Sequence, residues 1–219
     1  MSRRHADEAP IRVSKIDVHP SIHQYKSMKW LTFLVMIGLL HAEPEQRVQE
    51  VRGWYQKIEE STAIKQREVK FEAENDPLFG NLTVREYADG LSAVTLSYVA
   101  GAHGGTDEYF YFKDGELFFV FEVDQSWRFS GGADASGEHA ATIDTRIENR
   151  YYYDAGKCIR RLSRSAKAAD AMKLPAMIAK VNSKQVEPGE SASVLSKRAP
   201  MLLAAKNAKD VLASFGLED

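Results

Sequence analysis

The sequence predicts an α+β domain: an antiparallel β-meander of about six or seven strands, preceded by an amphipathic helix and followed by a helical tail. Two observations carry this. Three short turns containing glycine each follow an aromatic strand end, at Tyr87-Ala88-Asp89-Gly90-Leu91, Tyr111-Phe112-Lys113-Asp114-Gly115-Glu116-Leu117 and Tyr152-Tyr153-Asp154-Ala155-Gly156-Lys157-Cys158. Asp and Gly tolerate the positive backbone angles that a tight hairpin needs, and a turn of this length can join only antiparallel neighbours. The period of the apolar residues also changes along the chain, from helical to alternating and back to helical.

From Glu45 to Glu60, Val48, Val51, Trp54, Tyr55 and Ile58 recur at three- and four-residue steps, which places them on one helical face. After Ser61-Thr62, Val69, Phe71 and Ala73 alternate with Glu68, Lys70, Glu72 and Glu74, the pattern of a strand with one wet face. With three hairpins this gives about seven strands. The middle hairpin does not alternate: Tyr109 to Phe112 and Leu117 to Phe121 are apolar throughout, so both faces of these strands should be covered, or one should cover a ligand or partner. Ser130 to Ala141, rich in Gly, Ala and Ser, is expected as a mobile loop. From Ser165 the strand signal ends, and two helices are expected, over 166–181 and 191–215, with Pro175 and Pro200 kinking or restarting them.

The chain has 219 residues, a formal net charge of −2 and one cysteine, Cys158. One domain with a real core is expected, no intrachain disulfide can form, and Cys-based metal frameworks are excluded. Cys158 lies in a strand-like run, where it reads as a small buried apolar residue. Trp30 to Leu40 is an uncharged apolar run after Lys29, shorter than the roughly 20 residues that span a bilayer, and Leu40-His41-Ala42 precedes Glu43-Pro44. We therefore expect a signal peptide over 28–42 cut between Ala42 and Glu43, a periplasmic or extracellular location and no stable membrane span. The competing possibility is that the run is a buried core helix. The polar stretch 1–27 is expected to be a start-site artefact, with Met28 as the initiator. Residues 1–42 hold six Lys/Arg against three acids, so cleavage shifts the charge by three units, from −2 to −5, which offers no electrostatic footprint for nucleic acid.

The segments Val51-Arg52-Gly53-Trp54-Tyr55, Glu108 to Glu122 and Glu148 to Lys157, taken in this order, resemble a set of uncharacterised exported bacterial proteins with repeated Tyr/Phe-rich Asp-Gly β-hairpins. The resemblance spans about Glu45 to Arg164. It implies a bacterial, periplasmic or secreted protein and carries no activity. Many of those proteins are lipoproteins, whereas this chain has no cysteine near the end of its apolar run to be acylated.

Motif by motif, little chemistry is encoded. Gly101-Ala102-His103-Gly104-Gly105-Thr106-Asp107 is followed by a strand rather than by a helix N-terminus, so it reads as a hairpin connection and not as a phosphate cradle. His103 with Asp107 and Glu108, and His139 with Asp144, are the candidates for an acid/base or metal site, but their spacing matches no metal-ligand pattern. Ser126, Ser130 and Ser136 lie in no nucleophile elbow. Lys157, Arg160, Arg161, Arg164 and Lys167 read as a solvated strand end, since alternation puts Arg160 and Arg161 on opposite faces. Asn81-Leu82-Thr83 is a sequon of consequence only in a eukaryotic secretory host.

No catalytic residue, metal or cofactor is assigned. The candidate ligand-binding residues are Tyr109, Tyr111, Trp127, His103 and Asp107. The expectation is a non-enzymatic binding protein for a protein, glycan or hydrophobic ligand, acting through its sheet or loops. The alternative is a cell-envelope hydrolase using the loop residues around His103 and Asp107.

Overall fold

Three tight turns build the three consecutive hairpins of the sheet. In each, both central residues have positive φ: Asp89 (58°) and Gly90 (69°), Asp114 (52°) and Gly115 (84°), Ala155 (45°) and Gly156 (76°). That is the backbone whose twist matches two right-twisted strands. The first two turns lie side by side, since the Asp114 N–H donates to the Gly90 carbonyl at 2.8 Å and Lys113 Nζ to the Asp89 carbonyl at 2.6 Å.

The computed structural model describes residues 44–133 and 140–217. The 1–27 stretch, the expected signal peptide with its Ala42/Glu43 cleavage point, Ser136 and His139 lie outside the described residues. After helix α1 (Pro44–Glu60) come strands β1 (Lys65–Glu72), β2 (Leu78–Glu86), β3 (Leu91–Ala100), β4 (Gly104–Lys113), β5 (Glu116–Ala133), β6 (Ala140–Asp154) and β7 (Lys157–Ala168). A 3-10 turn (Ala171–Lys173), helix α2 (Leu174–Ile178), strand β8 (Lys184–Val186) and helices α3 (Gly189–Ala204) and α4 (Ala208–Ser214) complete the order. The eight strands form one antiparallel sheet in the order of the chain. No described helix is long and apolar enough to cross a membrane.

The strand count is eight rather than six or seven. The added strand, β8, is three exposed residues paired to Arg161–Ser163. It is too short to carry a period-2 signal. The expected break at Ser165 falls later, because Ser165–Ala168 pair with Asp144–Ile147 and stay in β7. Ladder pairing overrides the weak local preference of an Ala/Ser/Lys run. The expected loop likewise shrinks at its ends, as β5 continues to Ala133 and β6 starts at Ala140. Pro175 sits in the first turn of α2, where its missing N–H costs nothing. Pro200 lies inside α3 without ending it, and the break comes at Ala205, whose ψ of 134° leaves the helix. Asn207 then caps α4, accepting from the Asp210 N–H at 3.1 Å, while Asp210 accepts from the Lys206 N–H at 2.8 Å.

Both faces of the sheet are used. On one, Val69, Phe71, Leu82, Val94, Phe110 and Tyr151 pack with Ala192, Leu195, Leu202 and Val211 of α3 and α4. On the other, Ala93, Tyr111, Phe118, Phe119 and Tyr152 pack with Val48, Val51 and Ile58 of α1. This is the two-sided burial that the unbroken apolar run in the middle hairpin predicts. Aromatic contacts fill the α1 interface, with Trp54 tilted against Phe118 at 5.2 Å and Tyr55 edge-on to Tyr111 at 5.2 Å. Arg160 to Glu45 (2.7 Å) and Arg47 to Asp154 (3.0 Å) fasten the start of α1 to the β6–β7 hairpin.

Two backbone positions are tightly specified. A Cβ on Gly80 would strike the Ser97 carbonyl oxygen, and the Phe71 ring covers the same spot. Ala155 instead holds a left-handed angle that costs an L-residue about 1–2 kcal/mol. Gly80→Ala should therefore lower stability by about 1–3 kcal/mol, as over-packing does. Ala155→Asn should raise it by up to about 1 kcal/mol, since Asn tolerates that angle. Thermal unfolding followed by circular dichroism reads both, and equal midpoints for the three proteins would contradict the account.

Candidate functional site

Because side chains alternate, the register sorts the sheet into cross-strand rows. On the α1 face one row runs Lys70, Asn81, Ser97, Asp107, Val123, Glu148, Arg164. The next runs Glu72, Phe79, Val99, Gly105, Gln125, Arg146, Ala166. α1 lies over the rows nearer the Asp114-Gly115 turn and stops short of these two. Leu174 of α2 closes one end, packed with Ala166.

The result is an open groove of about 720 Å³ crossing β1 to β6, lined by Phe79, Asn81, Asp107, Gln125, Trp127, Asp144 and their row neighbours. Its rim exposes apolar side chains. Phe79 is 50% and Phe129 57% exposed, and Met172, just before Leu174, is 86% exposed. Past Ser126, β5 pairs with β6 alone, so Trp127 stands where the sheet narrows to a two-stranded ribbon. Trp127 is held there by its N–H to the His103 carbonyl (2.9 Å), by the His103 ring at 4.5 Å and by Phe129 edge-on at 5.2 Å.

The sequence-derived candidates thus separate. Asp107 and Trp127 line the groove, and His103 supports Trp127 from the β3–β4 connection. Tyr109 is half-buried one row nearer α1, stacked on Phe121 at 5.8 Å. Burial and the Asp107 charge push its hydroxyl pKa upward, so it stays protonated. Tyr111 is 7% exposed and belongs to the α1 interface rather than to the groove. Among the described residues no cluster of three His, Cys, Asp or Glu side chains could hold a metal ion.

The groove residues that motif reading passed over are Phe79, Asn81, Gln125 and Leu174. Asn81 is not found by counting from the turns, because the pairs Asn81–Ser97 and Ser97–Asp107 are set by a three-residue Ala88–Gly90 connection and by the Gly101–His103 connection between β3 and β4. The basic run is also resolved. Arg160 pairs with Glu45, Arg161 lies over Tyr151 at 5.2 Å, and Arg164 meets Glu148 at 2.6 Å, so all three arginines are engaged within the fold.

Glu148 is the hub of that network, with Arg146 at 3.0 Å and Arg150 at 3.6 Å besides Arg164. Burial alone would raise its pKa, but hydrogen bonds and charges from Arg164 and Arg146 outweigh that and hold it below the usual carboxylate range.

Beneath α3, on the opposite face, lies a second polar layer. Glu108, 1% exposed, accepts from Tyr98 Oη and Arg198 Nη1, each at 3.1 Å. Its cross-strand neighbour Glu122 accepts from Asn149 (2.7 Å) and Tyr151 (3.1 Å). Burial raises the Glu108 pKa, and burial with the Glu108 charge pushes Tyr98 up to about 12. Glu108 Oε2 and Arg198 Nε and Nη2 are buried without a partner among the described residues. These atoms are closed to solvent, and the contacts of the layer position α3 on the sheet.

Comparison of the chain with protein-family models, curated proteins and solved structures finds no match.

Two outcomes test these networks. Arg198→Leu should cost about 3–5 kcal/mol in urea unfolding, and the double variant Glu108→Leu/Arg198→Leu clearly less, because the single change strands a buried charge. A double variant no more stable than the single would refute this. Glu148 has a lowered folded pKa, so its contribution is complete above the unfolded value near 4.5 and is lost as pH falls through the lower folded value. Glu148→Gln should therefore be less stable at neutral pH and show a flatter acid limb than the parent, and parallel limbs would contradict it.

Proposed function

We propose that the protein is an exported, non-enzymatic binding protein whose ligand lies in the groove on the α1 face of the sheet. One observation carries the reading. Half of this face is left uncovered by α1, and the uncovered half adds exposed Phe79 and Phe129, beside Trp127, to the charged side chains of an ordinary wet sheet face. Concave surfaces of mostly apolar lining with a few placed polar groups are what small-molecule and chain ligands select. His103 supports Trp127, its carbonyl accepting the Trp127 backbone N–H and its ring packing on the indole. The apolar run after Met28 and the Ala42-Glu43 junction support export.

The expected outcome for a chain expressed from Met28 in a bacterial host is an exported product whose first residue is Glu43. An uncleaved cytoplasmic chain would count against export. For the groove, the ¹⁵N-labelled protein titrated separately with oligosaccharides, palmitate and short peptides should show shifts clustered on Asp107, Gln125 and Trp127 with at least one of them. His103→Ala should weaken that binding no more than a few-fold. Shifts confined to other surfaces, or none, would remove the reading.

A further inference from the structure

We infer that the ligand of the groove is a neutral oligosaccharide chain lying across the strands, an inference that rests on the binding reading above and narrows it to one chemistry.

Shape comes first. The groove crosses six strands, and five interstrand steps make it about 24 Å long. It is open along its length, so an acyl chain laid in it would keep one side in water, against the near-complete burial that apolar ligands obtain in closed pockets. An extended peptide fares no better. Strand addition needs a free sheet edge, whereas β2 to β4, the middle of the groove floor, are already paired on both sides, and the free edges of β1 and of β5 past Ser126 lie only at its two ends.

The lining chemistry fits a sugar chain. Phe79 on β2 and Trp127 on β5 are three interstrand steps and one two-residue row apart, about 16 Å. They present aromatic surface, onto which the C–H faces of a pyranose ring pack as other apolar groups do. Gln125 stands between them, and Asn81, Ser97 and Asp107 form the row alongside Phe79 on the side away from Trp127, all side chains that can donate to or accept from sugar hydroxyls. Gly105, between Val99 and Gln125 in its row, leaves the floor bare, so a ring can approach the backbone. Charge selects among sugars. The groove is lined by Glu72, Asp107 and Asp144 against Lys70 alone, an acidic balance that disfavours uronic-acid chains, nucleic acid and anionic head groups.

The test is calorimetric titration of the exported protein with cellohexaose, xylohexaose, chitohexaose and maltohexaose, with hexagalacturonate and palmitate as contrasts. At least one neutral hexasaccharide should bind, and its trimer should bind several-fold more weakly because it cannot span both aromatic residues. Trp127→Ala and Asp107→Ala should each weaken binding by about tenfold or more. Trp127→Tyr should keep most of it, which guards against a variant that simply misfolds, and Trp54→Phe under α1 should leave it unchanged. If no neutral hexasaccharide binds while palmitate or hexagalacturonate does so in a Trp127-dependent way, the sugar assignment is overturned and the groove reading survives. If none of the six binds, the sugar assignment is overturned, and the groove reading falls with it when the peptides also leave Asp107, Gln125 and Trp127 unshifted.

Discussion

The constraint on which the structure depends is that the central strands β4 and β5 are apolar on both faces. A sheet with such a centre cannot leave either side in water, so one helix must cover one face and another the opposite face. The chain meets this by placing α1 before the meander and α3 with α4 after it. The order helix, sheet, helix follows directly from where the aromatic residues fall. Tyr111, Phe118 and Phe119 take α1, and Phe110, Phe112 and Val120 take the C-terminal pair.

The two coverings are unequal. On the C-terminal side α3 and α4 reach across most of the strands, and their seat is specified by polar contacts: Tyr153 Oη to the Ala192 carbonyl at 2.9 Å, Arg67 to the Ala205 and Leu203 carbonyls, and Arg198 to Glu108. On the other side a single helix of 17 residues covers only the rows near the turns. The uncovered rows are polar where ordinary solvation would make them so, but they are edged by exposed aromatic groups. The groove is thus the remainder left by one short helix on a long sheet, and its lining is fixed by the same register that builds the core.

Local period and turn chemistry made α1, the three turns and seven of the strands legible, but not the bounds of the tail, where the helix expected over 166–181 shrinks to Leu174–Ile178 and the one over 191–215 breaks at Ala205. What the sequence hid was which face each residue of β5 occupies. Counting from the Asp114-Gly115 turn alone puts Phe118 opposite Tyr111 and sends Trp127 to the α3 side. The strands shift register between Tyr111 and Phe112, so that Phe119 faces Tyr111 and both Phe118 and Phe119 lie against α1. Such a one-residue slip turns every later side chain over. It carries Gln125 and Trp127 into the groove beside Asp107. A second shift between Tyr152 and Tyr153 does the same for β7, which is why Arg164 meets Glu148. Neither bulge has a glycine or other local mark. Packing against α1 decides the first, and packing is non-local.

The most direct test of this asymmetry reads solvent contact at individual side-chain N–H groups. Adding a soluble paramagnetic chelate to the ¹⁵N-labelled protein should strongly broaden the Trp127 indole and Gln125 amide signals, while leaving the buried Asn149 amide nearly untouched. Equal protection of Trp127, Gln125 and Asn149 would mean that the supposedly open rows are covered, and the account would fail.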